Sequence, residues 1–179
     1  MSDPIWSFAP LNSKSSSLEI FTCGLASLAL MLAIWAPAAF GTEGVSGNTV
    51  ETLEIVELQR IIAESEQRLL IVVMAAWCHP CIRELPDLER LYRKYHPEGL
   101  NVLGISLDLE GAQAMQPIID RLKISFPVYW VGEAAIEAFQ IRGIPLLLLV
   151  ERGDVVERIM GQRSSDYLEN RIEAFLRDS

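Results

Sequence analysis

The stretch Leu69-Leu70-Ile71-Val72-Val73-Met74-Ala75-Ala76-Trp77-Cys78-His79-Pro80-Cys81-Ile82-Arg83-Glu84-Leu85-Pro86 carries most of what the sequence says about fold and chemistry. Leu69 to Met74 is an unbroken apolar run, as expected of a strand covered on both faces in a parallel sheet. Cys81 to Tyr95 has helical spacing. Leu85, Leu88, Tyr92 and Tyr95 form one stripe, and Arg83, Asp87, Arg90 and Lys94 face water. Pro86 falls inside that helix, where its missing N–H predicts a kink.

Cys78 and Cys81 thus stand between a buried strand and a helix start. At positions i and i+3 they face the same side and come within disulfide range, about 4.4–6.8 Å between Cα atoms. The free N–H groups and dipole of a helix start favour an anion. Cys78 is therefore expected to have a depressed thiol pKa and to act as the nucleophile. Cys81, one turn deeper, is expected to be more buried and to resolve the mixed disulfide. Pro80 is tolerated in a first turn, where its N–H is not needed. His79 adds a titratable donor beside Cys78.

Two other chemistries use this spacing. Cys-x-x-Cys is often half of a zinc site, but further ligands would have to come from His79, His96 and Cys23. One lies inside the motif, one at the far end of the same helix and one in an apolar segment, so no metal is expected. A purely structural disulfide would close too short a loop to restrict the unfolded chain much. Redox exchange fits best, with the Cys78–Cys81 disulfide as its own redox group and no other cofactor. His96, in Tyr95-His96-Pro97, has the setting of a surface residue at a helix end.

Outward from the motif, strands and helices alternate. Thr49 to Leu53 is a short first strand and Glu54 to Ser65 a helix with Ile55, Leu58, Ile61 and Ile62 on one face. Leu100 to Leu107 is a strand, Ala114 to Leu122 a helix, Phe126 to Trp130 an extended segment and Glu133 to Phe139 a short helix. Leu146 to Val150 and Val155 to Met160 are strands joined by the turn Glu151-Arg152-Gly153-Asp154. Ser164-Ser165-Asp166 caps a last helix that buries Leu168, Ile172 and Phe175. This order describes an α/β sandwich with a mixed central sheet flanked by helices.

Residues 1–18 are polar and serine-rich. Residues 19–41 contain the uncharged window Ile20 to Phe40, and 21 residues in a helix reach about 30 Å, enough to cross a bilayer core. A transmembrane anchor and a cleaved signal peptide, ending near Ala36-Pro37-Ala38 or Ala39-Phe40-Gly41, both fit. A buried helix of a soluble domain would normally show a polar face. Lys14 precedes the window and no Lys or Arg appears from 41 to 59, which favours an extracytoplasmic domain. Cys23 precedes most of the apolar run, so it is not placed as a lipid-bearing cysteine. Residues 42–48 form a glycine-rich linker and 49–179 the folded domain.

From residue 42 on there are 14 basic and 22 acidic residues. An acidic surface without a basic stripe argues against nucleic-acid binding.

On these residues the chain resembles the thioredoxin superfamily, in its membrane-tethered TlpA/ResA/CcmG-like branch, from about Leu69 to Phe175. Trp77 to Pro86 is similar to that branch's W-C-x-P-C-x-x-E-x-P signature. Phe139-Gln140-Ile141-Arg142-Gly143-Ile144-Pro145 is similar to its V-x-G-I-P segment, and Gly153 and Gly161 recur after it. The resemblance implies a thioredoxin-like fold and a cis bond before Pro145, facing the dithiol. It implies a substrate groove bordered by Trp77 and Ile144. The strand–helix unit within Leu100 to Leu122 resembles the branch's insert.

The departures are specific. Thioredoxins carry a buried Asp near Val72, and none stands there, so proton transfer to Cys81 must use another group, with Glu84 a candidate. His79 replaces the acidic residue of related reductases, and Leu146 replaces a frequent Thr. No extra N-terminal hairpin is evident before Leu69.

The resemblance implies a thiol–disulfide oxidoreductase acting on extracytoplasmic protein thiols and disulfides. Its direction would be that of a reductase, as in cytochrome c maturation or rescue of oxidised proteins. Electrons would come from a membrane donor of unknown identity, and an uncleaved N-terminal helix would tie the protein to the membrane. A copper-binding module without exchange activity is the alternative, although such sites resemble Cys-x-x-x-Cys with a distant histidine. Peroxidase chemistry lacks its Thr-x-x-Cys setting.

Overall fold

A computed structural model describes residues 48–65 and 68–177. The polar segment 1–18, the apolar segment 19–41 and nearly all of the linker 42–48 lie outside the described residues. Among the described residues no helix is long and apolar enough to cross a membrane.

The elements run β1 (Glu51–Thr52), α1 (Ile55–Ala63), β2 (Arg68–Met74), α2 (His79–Tyr95), β3 (Leu100–Ser106), α3 (Ala112–Leu122), β4 (Val128–Trp130), α4 (Ala134–Ala138), β5 (Leu146–Glu151), β6 (Asp154–Met160) and α5 (Ser165–Arg177). The sheet order is β1-β4-β3-β2-β5-β6. β1, β4, β3 and β2 are parallel, while β5 and β6 are antiparallel to their neighbours. This is the mixed sheet expected from the order of elements. Parallel neighbours need crossover helices, and the antiparallel pair needs only a turn. That turn is Arg152-Gly153, with φ of 52° and 85°, the left-handed pair that matches hairpin twist.

Period-two alternation sends the sheet's side chains into two cores. Leu70, Val72, Met74, Val102 and Leu147 pack with Leu85, Leu88, Leu91, Met115, Ile119, Leu168 and Ile172. Leu69, Ile71, Val73, Ile105 and Leu148 pack with Leu58, Ile62, Ala135 and Phe139. Helices α2, α3 and α5 therefore cover one face and α1 and α4 the other. β2 is buried along almost its whole length, as its unbroken apolar run required.

Two element starts and one core-facing position differ from the sequence expectation in ways that bear on the site. α2 begins at His79 because Cys78, not a later residue, caps it. β4 begins at Val128, and Phe126 is instead a fully buried core residue before the strand. Within α2, Leu91 takes the seam position assigned to Tyr92. Tyr92 lies at the rim, edge-on to Phe126 and against His96. Glu89, also buried, accepts hydrogen bonds from the Ser125 N–H and hydroxyl at 2.8 and 2.6 Å. It fixes α2 to the loop before β4.

Candidate active site

β2 lies at the centre of the sheet, and its C-terminal end delivers Ala75-Ala76-Trp77 to the start of α2. The Cys78 N–H donates to the Ala75 carbonyl at 3.0 Å, closing a turn. Cys78 is the N-cap residue, and its Sγ accepts the Cys81 N–H at 3.3 Å. A sulfur thus occupies the cap position usually taken by an oxygen. Pro80 falls in the first turn, where no N–H is required.

Cys78 and Cys81 are joined in a disulfide with their Cα atoms 5.3 Å apart. The burial difference expected between them is slight, at 4% and 2% exposure. The disulfide packs both sulfurs between the loop and the core. His79 is exposed on the outer side of the turn. His96 caps the far end of α2, roughly 25 Å along the helix from Cys78, too far to share a ligand set with the cysteines. Its Nδ1 lies 3.1 Å from the Leu100 carbonyl.

The Ile144–Pro145 peptide bond is cis, as the resemblance implied. Antiparallel pairing sets Leu146 opposite Val73, which brings Pro145 to the end of β2. The Pro145 carbonyl accepts the Gly161 N–H at 2.9 Å. Trp77, Gly143 and Ile144 line a cleft of about 450 Å³ together with Leu107, Leu109 and Ile136. Trp77 is 61% exposed, and Leu109 and Ile136 are also exposed. The cleft is apolar, with Glu133 and Arg142 also in its lining.

Glu84 lies one turn after Cys81 and is 2% exposed. Its Oε1 accepts the Arg163 N–H at 2.8 Å. Burial pushes its carboxyl above the usual range, opposed by that hydrogen bond and the Arg163 charge. Val72 has no carboxylate beside it, since its sheet neighbours are Gly104 and Leu147. A second buried carboxylate near the loop, Asp108, escaped the sequence reading. The sequence signal was faint: Ser106 and Asp108 are polar residues alternating with Leu107 at the end of an apolar strand. Leu109 and Ile136 were missed because no sequence period brings them to Trp77.

A thioredoxin-like α/β sandwich with a closed Cys-x-x-Cys disulfide at the N-terminus of its central helix defines a class, the thiol–disulfide oxidoreductases. The chain belongs to the AhpC/TSA family, which matches it over residues 44–158. Thiol-disulfide oxidoreductase ResA of Halalkalibacterium halodurans is 28% identical over 136 residues, 75% of this chain and 72% of that protein. ResA of Bacillus cereus is 29% identical over 99 residues, 54% of this chain and 57% of that protein. The chain thus spans only a little over half the length of the latter. A thiol:disulfide interchange protein of the thioredoxin family from Chlorobium tepidum superposes with a TM-score of 0.57 at 24% identity. The match covers 62% of this chain and 81% of that one and shows the shared fold.

Proposed function

We propose that this chain exchanges disulfides with extracytoplasmic protein substrates and works as a reductase. The observation that carries the exchange reading is the Cys78–Cys81 disulfide, with Cys78 capping α2 and its Sγ on the Cys81 N–H. The reductase direction rests on the resemblance to the TlpA/ResA-like branch. In the reduced protein the same N–H and helix start would stabilise a Cys78 thiolate. That thiolate attacks a substrate disulfide, and one substrate sulfur leaves as a thiol. Cys81 then attacks Cys78 Sγ, releases the second substrate thiol and re-forms the Cys78–Cys81 bond. The substrate gains two electrons, and a membrane donor must return two to this chain. No cofactor besides the disulfide takes part.

Trp77 and Ile144 line the cleft, with the cis Pro145 next in the chain, and an extended substrate segment would lie against the backbone there. Glu84 is suited to exchange a proton with Cys81, since burial keeps its carboxyl protonated to higher pH than usual. His79, exposed beside Cys78, would donate to substrate sulfur from the solvent side. Localisation outside the cytoplasm rests on the apolar segment 19–41 and the charge around it. Membrane attachment rests on that segment staying uncleaved. Cytochrome c maturation and repair of oxidised proteins are the processes this chemistry serves. Ala75 stands where peroxide-reducing sites carry threonine, so the family name does not make peroxide reduction the preferred reading.

Reduction of a protein disulfide such as insulin's tests the activity. Cys78→Ser is expected to abolish turnover, and normal turnover by that variant would refute the mechanism. Equilibration with glutathione tests direction. A potential more oxidising than the compartment's own poise would defeat the reductase assignment.

A further inference from the structure

Asp108 follows β3 and is a carboxylate, 1% exposed, that the exchange steps do not use. Its Oδ1 and Oδ2 accept the Ala76 N–H at 2.9 and 3.1 Å, and Oδ2 accepts the Ser106 hydroxyl at 2.7 Å. Its own carbonyl accepts the Trp130 indole N–H at 2.6 Å. Both donors to the side chain are neutral, and among the described residues Asp108 forms no ion pair. A buried carboxylate without a cation is costly, and an apolar residue would serve stability better. The place it occupies is informative. Ala76 is two residues before Cys78, no more than about 7.6 Å along the Cα trace. The side chain therefore grips the dithiol loop, and the carbonyl grips the end of β4, just before α4.

We propose that Asp108 is a positioning residue that fixes the Ala76–Cys78 loop and, through its charge, holds the Cys78 thiolate less stable than the helix start alone would make it. Two effects then act on one sulfur with opposite sign. The α2 N-terminus favours the thiolate, and the negative charge behind the loop disfavours it. A less stabilised thiolate makes the dithiol a weaker oxidant, because a stabilised reduced form is what gives a strong one. The buried charge thus pushes the couple towards the reductase side. The inference rests on the exchange reading, but the two fail separately. Loss of the exchange reading shows as turnover by Cys78→Ser, whereas this inference concerns how Cys78 titrates.

The test compares Asp108→Asn, Asp108→Ala and the unaltered sequence as full chains. Asparagine keeps an oxygen for the Ala76 N–H, and its amide can donate to the Ser106 hydroxyl, so it removes the charge and little else. Alanine removes the acceptor as well. The charged and titratable groups on the surrounding elements stay the same: His79, Arg83 and Glu84 on α2, Glu133 beside α4, Arg142 before β5 and Arg163 after β6. The readout is the pH dependence of Cys78 alkylation by iodoacetamide in the reduced protein, alongside insulin reduction.

In Asp108→Asn the thiol midpoint is expected to fall by about one pH unit, giving roughly tenfold more thiolate below it. Thiolate nucleophilicity falls with pKa, so alkylation at a fixed pH below the midpoint should rise only about threefold. Insulin reduction should keep its KM within about twofold. In Asp108→Ala, folded by circular dichroism, kcat should fall about tenfold relative to Asp108→Asn as the loop is released. An unchanged alkylation midpoint in Asp108→Asn overturns the inference. A folded Asp108→Ala protein that turns over as fast as Asp108→Asn overturns it too.

Discussion

Val73 stands opposite Leu146 in the antiparallel ladder between β2 and β5. The register of that pair brings Pro145 to the strand end that leads into Cys78, although 64 residues separate Pro145 from Cys81 in sequence. Because β5 runs against β2, the start of one strand meets the end of the other. The two halves of the site therefore meet through backbone hydrogen bonds of the sheet's centre, on rigid elements rather than on free loops.

The division of labour between the cysteines predicts a trap. In Cys81→Ser the attack of Cys78 on substrate can proceed, but the resolving step cannot. Mixed disulfides with protein substrates should accumulate and run as high-mass species on non-reducing gels that collapse on reduction. The captured proteins can be identified by mass spectrometry. Absence of such adducts, with Cys78 alkylatable, would argue against Cys78 as the attacking sulfur.

Trp77 is exposed yet lines the cleft. Trp77→Ala should leave stability nearly unchanged, because little of the ring is buried. It should raise the KM for a cysteine-bearing peptide by about 5- to 30-fold, on the order of 1–2 kcal/mol. Steady-state kinetics and thermal melts separate these effects. A large drop in Tm with an unaltered KM would assign Trp77 to packing instead.

Glu84 should make stability depend on pH. Its carboxyl is raised above the ordinary glutamate value of 4.5, chiefly by burial. The folded state then holds this proton more tightly than the unfolded chain. The stability it contributes is fully present below about pH 4.5 and is lost as pH rises through the higher folded value. Glu84→Gln removes that titration, and its amide oxygen can still accept the Arg163 N–H. Denaturant melts should show the variant gaining on the unaltered protein between pH 4 and pH 8 (roughly the span over which a raised carboxyl titrates). Parallel curves across that range would show that Glu84 titrates normally.

Gly104 sits in β3 where a methyl group would stand 2.8 Å from Met74 Cε and 3.0 Å from Val128 Cγ2. Both neighbours are buried. Gly104→Ala is expected to destabilise by about 1–3 kcal/mol through overpacking, measured by urea unfolding. An unaltered midpoint would mean that Met74 shifts at no cost.

Much of the molecule was legible because short-range physics wrote it. The unbroken run at Leu69 to Met74 is what a strand buried on both faces requires, and it forms one. The stripe through Leu85, Leu88 and Tyr95 marked the buried side of α2. Leu91 took the seam position expected of Tyr92 because adjacent residues on a helix both border the seam, and Tyr92 meets Phe126 edge-on at its rim. The cis bond before Pro145 came from likeness to a family and not from residue pattern.

Sequence by itself determined the chemistry of this protein. Two cysteines three apart, behind a buried strand and at a helix start, sit where a disulfide can form and where a thiolate is favoured, and both effects act within one turn. Tertiary structure alone decided what surrounds them. Asp108 at the end of β3 holds Ala76 at the end of its neighbour β2, Glu84 on α2 meets Arg163 from beyond β6, and Leu109 and Ile136 meet Trp77 at one cleft. Those contacts span 32 to 79 residues where hydrogen bonds make them. No local period encodes such distances. They follow from strand order and register, which are set by burying two hydrophobic faces of one sheet at once.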